Sequence, residues 1–198
     1  MKRGFAKAGA KTKRNLLTEK EAKRLVDSCK DFREKLLICG LLYTGMRVNE
    51  FIHLKRTWIN FDEGYIRVPE EERCRCYVCR RRGGKWKVKV PEAARTIPLL
   101  PEVYKIFREY FKEHESIMEV ISNQPTAWRI VKRVSNRAGL NKRIFPHVLR
   151  GTYASILAGK GFGALDIQSA LGWKSIKTAD EYIRISPDRL LKRFKEKW

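Results

Sequence analysis

The sequence predicts a mainly α-helical chain carrying one small antiparallel three-stranded β-sheet, and three observations lead there. Apolar residues recur at helical spacing over most of the chain, while the stretch from Trp58 to Leu100 changes to short β-rich runs between charged or Gly-containing turns. Gly and Pro punctuate the boundaries. At 198 residues the chain can bury one substantial core, and no internal boundary shows, so residues 18–198 read as a single domain.

Taken in order, residues 1–17 are crowded with Lys and Arg before any apolar periodicity begins, which predicts a flexible basic arm suited to a phosphate backbone. "TEKE" then offers Thr18 as a helix N-cap with Glu21 as its reciprocal partner. Helices are expected over 18–29 and 33–44, then over 47–55 after a break at Gly45. "YIRVP", "WKVKV" and "RTIPL" supply the three strands. Pro101 suits the first position of a further helix, in which Val103, Ile106, Phe107, Tyr110 and Phe111 keep helical spacing. Another helix runs over 125–138 and stops at Gly139. The last third reads as helices over 147–159, 164–171, 175–184 and 187–197, separated by Gly161, Gly163, Gly172 and Pro187. In the final one, Leu190, Leu191, Phe194 and Trp198 form an apolar stripe that either folds back on its own core or docks on a neighbouring protomer.

Charge narrows the partners. Forty-four Lys plus Arg against 22 Asp plus Glu leave a formal charge of +22, which favours a polyanion and opposes self-association without one. Double-stranded DNA is the expected partner. A membrane is not expected, because there is no run of about 18 apolar residues, and "MKRGFAKAGAKTKR" lacks the apolar stretch of a secretory signal. A cytoplasmic, DNA-associated protein is the expectation, and the abundance of Lys, Arg and Glu is a compositional tendency of thermophilic proteins.

Five cysteines do not make a disulfide scaffold in a chain of this size. Three of them lie together in "CRCYVC" as Cys74, Cys76 and Cys79. A closed structural zinc site wants four ligands, and no other Cys or His lies near them in sequence. Metal binding and a few plain thiols in a hairpin both remain open.

"PHVLRGTYAS" sets His147 and Arg150 three apart, hence on one helix face, beside an apolar stripe of Leu149, Tyr153, Ile156 and Leu157. Alone, that pair is equally a solvated helix edge. Its company decides otherwise. "LLYTGMRVNEFIHLK" puts Arg47 just after a Thr-Gly break with Glu50 one turn on. "GKWKVKVPEAARTIPLL" gives a lysine-bearing strand, a turn and a second strand. "LGWKSIKTADEYIRIS" places Trp173 after a helix-ending Gly and Tyr182 nine residues later. In this order the chain resembles the tyrosine recombinases, or phage-type integrases, across residues 18–198.

The resemblance implies that family's catalytic-domain fold and a metal-independent DNA strand transferase without a cofactor. Its site would comprise Arg47, Lys89, His147, Arg150, Trp173 and the nucleophile Tyr182. Among Lys85, Lys87 and Lys89, Lys89 sits closest to the usual offset before Arg95, and Lys87 is the alternative. Two departures stand out. Gly151 occupies the place where many members carry a second His, and only a basic arm stands where members usually have a DNA-clamping domain.

The implied function is site-specific recombination or integration, in the setting of a mobile element of archaeal or thermophilic source, through a 3′-phosphotyrosine intermediate, by a homo-tetramer assembled on paired DNA sites through the C-terminal helix. Two alternatives are carried along. One is topoisomerase IB-like strand cleavage and relaxation. The other is a non-catalytic binder, because "GALDIQSALGWKSIKTADEYI" also reads as helix, turn, helix.

Overall fold

A computed structural model of the chain describes residues 12–184. Most helices lie where the apolar spacing predicts, within a residue or two except near residue 50; a one-turn helix over Tyr77–Arg80, in the stretch read as β-rich, is not among those expected. They are α1 (Glu19–Asp27), α2 (Phe32–Thr44), α3 (Val48–Ile52), α4 (Tyr77–Arg80), α5 (Pro101–Tyr110), α6 (Gln124–Arg137), α7 (Pro146–Gly159), α8 (Ala164–Leu171) and α9 (Ile176–Arg184). The helix expected over 187–197 lies outside the described residues.

Helix α2 is the axis of the core. From Leu36 onward it is apolar on every side, with Leu36, Leu37, Ile38, Leu41 and Leu42 sealed from solvent, because α1, α5, α6 and α7 pack against it. Its one buried charge, Glu34, accepts from Arg137 and Arg133 of α6, and the Arg137 contact first of all holds its carboxyl down at about 2. Helix α7 is buried on two sides. Val148 and Leu149 enter the main core, while Tyr153, Ala154 and Leu157 join Ile167, Leu171, Ala179 and Tyr182 in a second small core with α8 and α9. That second core sets where the C-terminal side chains point.

Three strands do form an antiparallel sheet, but not the three that the sequence suggests. Strand β2 (Tyr65–Val68) sits between β1 (Ile59–Asn60) and β5 (Arg95–Pro98). "WKVKV" instead contributes β4 (Lys85–Lys87), which pairs only with β3 (Glu71–Arg73) in a separate hairpin. The physical reason lies in the intervening turns: Asn60 accepts from the backbone N–H groups of Asp62 and Glu63 and closes β1 onto β2, and a 3-10 turn at Pro91–Ala93 cuts β4 from β5. Lys89 therefore lies past the end of β4 rather than on its face.

Of the segment read as a basic arm, the structure describes residues 12–17. Several of these residues touch the domain. Leu17 is buried and donates its N–H to Thr152 of α7, and Arg143 donates its N–H to Asn15. Lys142 reaches both the Leu16 carbonyl and Glu21. Charge-rich sequence masked two leucines and a set of side-chain contacts that only distant residues supply.

Candidate active site

Two sharp turns build the site. Gly45 ends α2 in the left-handed conformation (φ 59°) and approaches the C-terminal core so closely that a Cβ there would sit 2.4 Å from the Tyr153 ring. Arg47 follows at the mouth of α3. Across from it, Gly172 ends α8, and Trp173 begins the turn into α9.

The two turns are tied together by arginines. Arg150 is almost wholly buried and donates to the carbonyls of Gly45 and Leu171, one from each turn. Arg47 donates to the Gly172 carbonyl at 3.2 Å and to Glu50 at 2.6 Å. A guanidinium has five N–H donors, so both arginines keep donors beyond these bonds. Burial, and then the like charges of Arg47 and Arg95, press Arg150 well below its ordinary value, with Glu50 opposing them. An arginine does not surrender its proton on that account. The meaning is that the cluster holds positive charge under mutual repulsion, which an anion entering the cleft relieves.

Glu50 and Arg95 complete the cluster and were not singled out by the sequence as parts of the site. Glu50 is buried and accepts from the Arg47 backbone N–H at 2.9 Å, from the Arg47 side chain, and from Arg95 at 3.0 Å. Burial alone would raise its pKa, but Arg95, Arg150 and Arg47 more than offset this, so it lies below the usual value. Arg95, equally buried, also donates to the carbonyls of Ala170 and Ala93. A Glu three residues after Arg47, at the N3 position of a helix, was the available clue to a capping role.

Tyr182, in α9, is buried and stacks on Trp173 with ring centroids 5.2 Å apart. Arg150 lies over the other ring of that stack, 5.8 Å from the Trp173 centroid. Burial raises the Tyr182 pKa above its ordinary value, and Arg150 offsets part of the rise. A cleft of about 400 Å³ brings together His147, Arg150, Trp173 and Tyr182, with Thr12 and Asn15 at its edge. His147 opens to solvent at the N-terminal end of α7. Partial desolvation, followed by the charges of Arg150, Arg47 and Lys89, moves its pKa down. The imidazole is thus neutral near pH 7.

Lys85 and Lys87 both pair with Glu71 across the hairpin, whereas Lys89 is exposed and acts electrostatically on His147. Lys89 also lines the adjoining groove with Arg47. The structure therefore brings Arg47, His147, Arg150, Trp173 and Tyr182 to one place and sets Lys89 at its margin.

Gly151 has a local explanation. A Cβ there would lie 2.8 Å from Leu16, and 3.1 Å from both Thr12 and the Tyr182 hydroxyl. The segment before α1 fills the space that a larger side chain at 151 would need.

One more cluster came together only in three dimensions. His53, the residue that caps the C-terminal end of α3, lies against Cys74, Cys76 and Cys79. It sits over twenty positions away in sequence, so proximity along the chain could not find it.

The profile of the Phage integrase family matches residues 15–189. Tyrosine recombinase XerA of Pyrococcus furiosus is 30% identical over 194 residues, covering 91% of this chain and 60% of the relative. XerA of Saccharolobus solfataricus is 26% identical, covering 88% and 53%. The chain thus spans little more than half the length of these curated relatives.

Among solved structures, XerA recombinase superposes with a TM-score of 0.70 at 24% identity, covering 91% of this chain and 62% of that one. The Tn1549 transposon integrase in complex with transposon right end DNA gives 0.67 at 21%, covering 90% and 65%. The catalytic domain of bacteriophage HP1 integrase gives 0.62 at 22%, covering 91% and 94%. With the fold shared and the profile spanning nearly the whole chain, this chain belongs to the phage integrase family of tyrosine recombinases.

Proposed function

We propose that this chain is the strand-cleaving domain of a site-specific DNA recombinase, with Tyr182 as the nucleophile. The observation that carries the proposal is the shared cleft, in which a buried tyrosine lies beside a neutral imidazole and a buried arginine braced by two backbone carbonyls. Duplex DNA is the substrate, which the +22 charge supports, as does the DNA held by the similar transposon integrase.

Attack by the Tyr182 oxygen on the scissile phosphorus forms a 3′-phosphotyrosine and breaks the bond to the 5′ oxygen. Little of the barrier is covalent; most is lowered by positioning and by charge stabilisation. Arg47 and Arg150 donate to the non-bridging oxygens as negative charge grows, and their planar forks suit two oxygens where an ammonium would not. His147, neutral near pH 7, accepts or relays the Tyr182 proton, which burial holds tightly. Lys89 protonates the leaving 5′ oxygen. Trp173 orients the phenol by stacking, and its indole can donate but cannot act as acid or base. Glu50 and Arg95 are positioning residues that hold Arg47 in place.

We further propose that the active form is a tetramer on paired sites, joined through residues 187–197, because DNA neutralises the charge that keeps free chains apart.

The test is a suicide duplex that traps the cleaved state. A covalent protein–DNA adduct should form with the native chain and vanish in Tyr182→Phe, while duplex binding stays within a few-fold. An adduct that persists in Tyr182→Phe refutes the assignment. Exchange between two defined sites, as against relaxation of supercoils alone, separates recombination from topoisomerase-like activity.

A further inference from the structure

We propose that His53, Cys74, Cys76 and Cys79 bind one structural zinc ion that clamps the β3–β4 hairpin to helix α3. All four candidate ligand atoms lie within 4.8 Å of one another. The Cys79 and Cys76 sulfurs are 3.5 and 3.7 Å from His53 Nε2. Tetrahedral zinc with sulfur bonds of about 2.3 Å and nitrogen bonds of about 2.0 Å puts its ligands roughly 3.5–3.8 Å apart, which the two His53–Cys distances already match, and the widest pair would close by at most about 1 Å.

The donor set selects the metal. Three thiolates and one imidazole, with four positions filled, match a closed structural zinc site and not the oxygen cages of calcium or magnesium. His53 is already in the right tautomer. Its Nδ1 faces the Asn49 carbonyl at 2.8 Å, a group that only accepts, so Nδ1 carries the proton and Nε2 offers its lone pair to the cysteines. Trp86 stacks on the ring at 5.6 Å and anchors itself on the Asn49 side chain at 2.6 Å. On the sulfur side, the Cys79 N–H points at Cys76 Sγ (3.4 Å) and the Cys76 N–H at Cys74 Sγ (3.5 Å).

The hairpin also needs such a staple. Its strands are three residues each, and of residues 71 to 87 only Cys79 and Trp86 are buried. A two-stranded ribbon with so little core is marginal in water. His53 caps the C-terminal end of the short helix that Arg47 opens, so the metal would join the hairpin leading to Lys89 to the helix carrying Glu50. The metal site does not depend on what Lys89 does. Its effect on cleavage rests on the proposed function.

The full chain, purified under reducing conditions from zinc-supplemented cells, should contain about one zinc per chain by mass spectrometry of metals. Cobalt exchanged into it should show thiolate-to-cobalt charge transfer and the d–d bands of a tetrahedral site. Cys79→Ser should lose the metal, whereas His53→Cys, which keeps four ligands, should retain it. Because a variant can fail to fold, the native chain should also be stripped with a chelator. Amide exchange in residues 71–88 should then rise by about tenfold or more while α2 stays protected, and zinc should reverse the change. Metal well below stoichiometry with no uptake of zinc or cobalt overturns the proposal. So does iron in its place, a disulfide among these cysteines, or unchanged hairpin exchange after stripping. A chain that holds zinc yet forms no DNA adduct leaves this site standing and overturns only the proposed function.

Discussion

Replacing Glu50 by Gln removes one charge from the centre of the arginine cluster while keeping the side chain's shape. The carboxylate now takes three hydrogen bonds, two from Arg47 and one from Arg95. A carboxamide has one accepting oxygen, so its NH2 group must face a guanidinium donor. Arg95, only 4% exposed in its side chain, is then left as a buried cation without its partner. Breaking a buried pair from one side typically costs about 3–5 kcal/mol. For a domain of this size that corresponds to a fall in Tm of roughly 6–20 °C.

The pH dependence gives the sharper check. Glu50 lies below its unfolded value of 4.5 when folded, because the three arginines outweigh its burial. Its contribution is therefore present above about pH 4.5 and is lost as pH falls through the lower folded value. Urea denaturation of native and Glu50→Gln chains should show a wide gap at pH 7 that narrows in acid. A gap below about 1 kcal/mol at pH 7, or one unchanged into strong acid, would refute the reasoning.

Three further outcomes are expected. Arg47→Lys keeps the charge but loses the planar fork, so cleavage should fall by about 10²–10³-fold with DNA affinity nearly unchanged; equal losses in both would make Arg47 a simple phosphate anchor. The acid limb of kcat/KM for the native chain should be centred below pH 6.5 and disappear in His147→Asn, because desolvation and three cations hold the imidazole neutral; a limb centred above 7 contradicts a neutral His147. Duplex binding should weaken steeply with salt, with a log–log slope of roughly −5 or steeper, since residues 73–89 alone carry eight basic residues and no acidic one. A flat salt response would remove charge as the driving term.

The amino-acid sequence by itself determined whatever depends on near neighbours. Helical spacing set α2, α5, α6, α7 and α8, since apolar residues three and four apart define a buried face before any partner is known. The Thr18–Glu21 cap closes as expected, with reciprocal bonds between residues three apart. The order of Arg47, His147, Arg150, Trp173 and Tyr182 along the chain was enough to point to the family.

Tertiary structure decided what distant residues share. Glu50 meets Arg95 across 45 positions, His53 meets Cys79 across 26, and Leu17 meets Thr152 across 135. The partner of β4 likewise turned on how two turns closed, because a strand's own pattern does not name its neighbour. Periodicity records which face of an element is buried; it carries no record of what buries it, and the counter-charge for Arg95 and the histidine beside the cysteines both came from elements that only folding brings near.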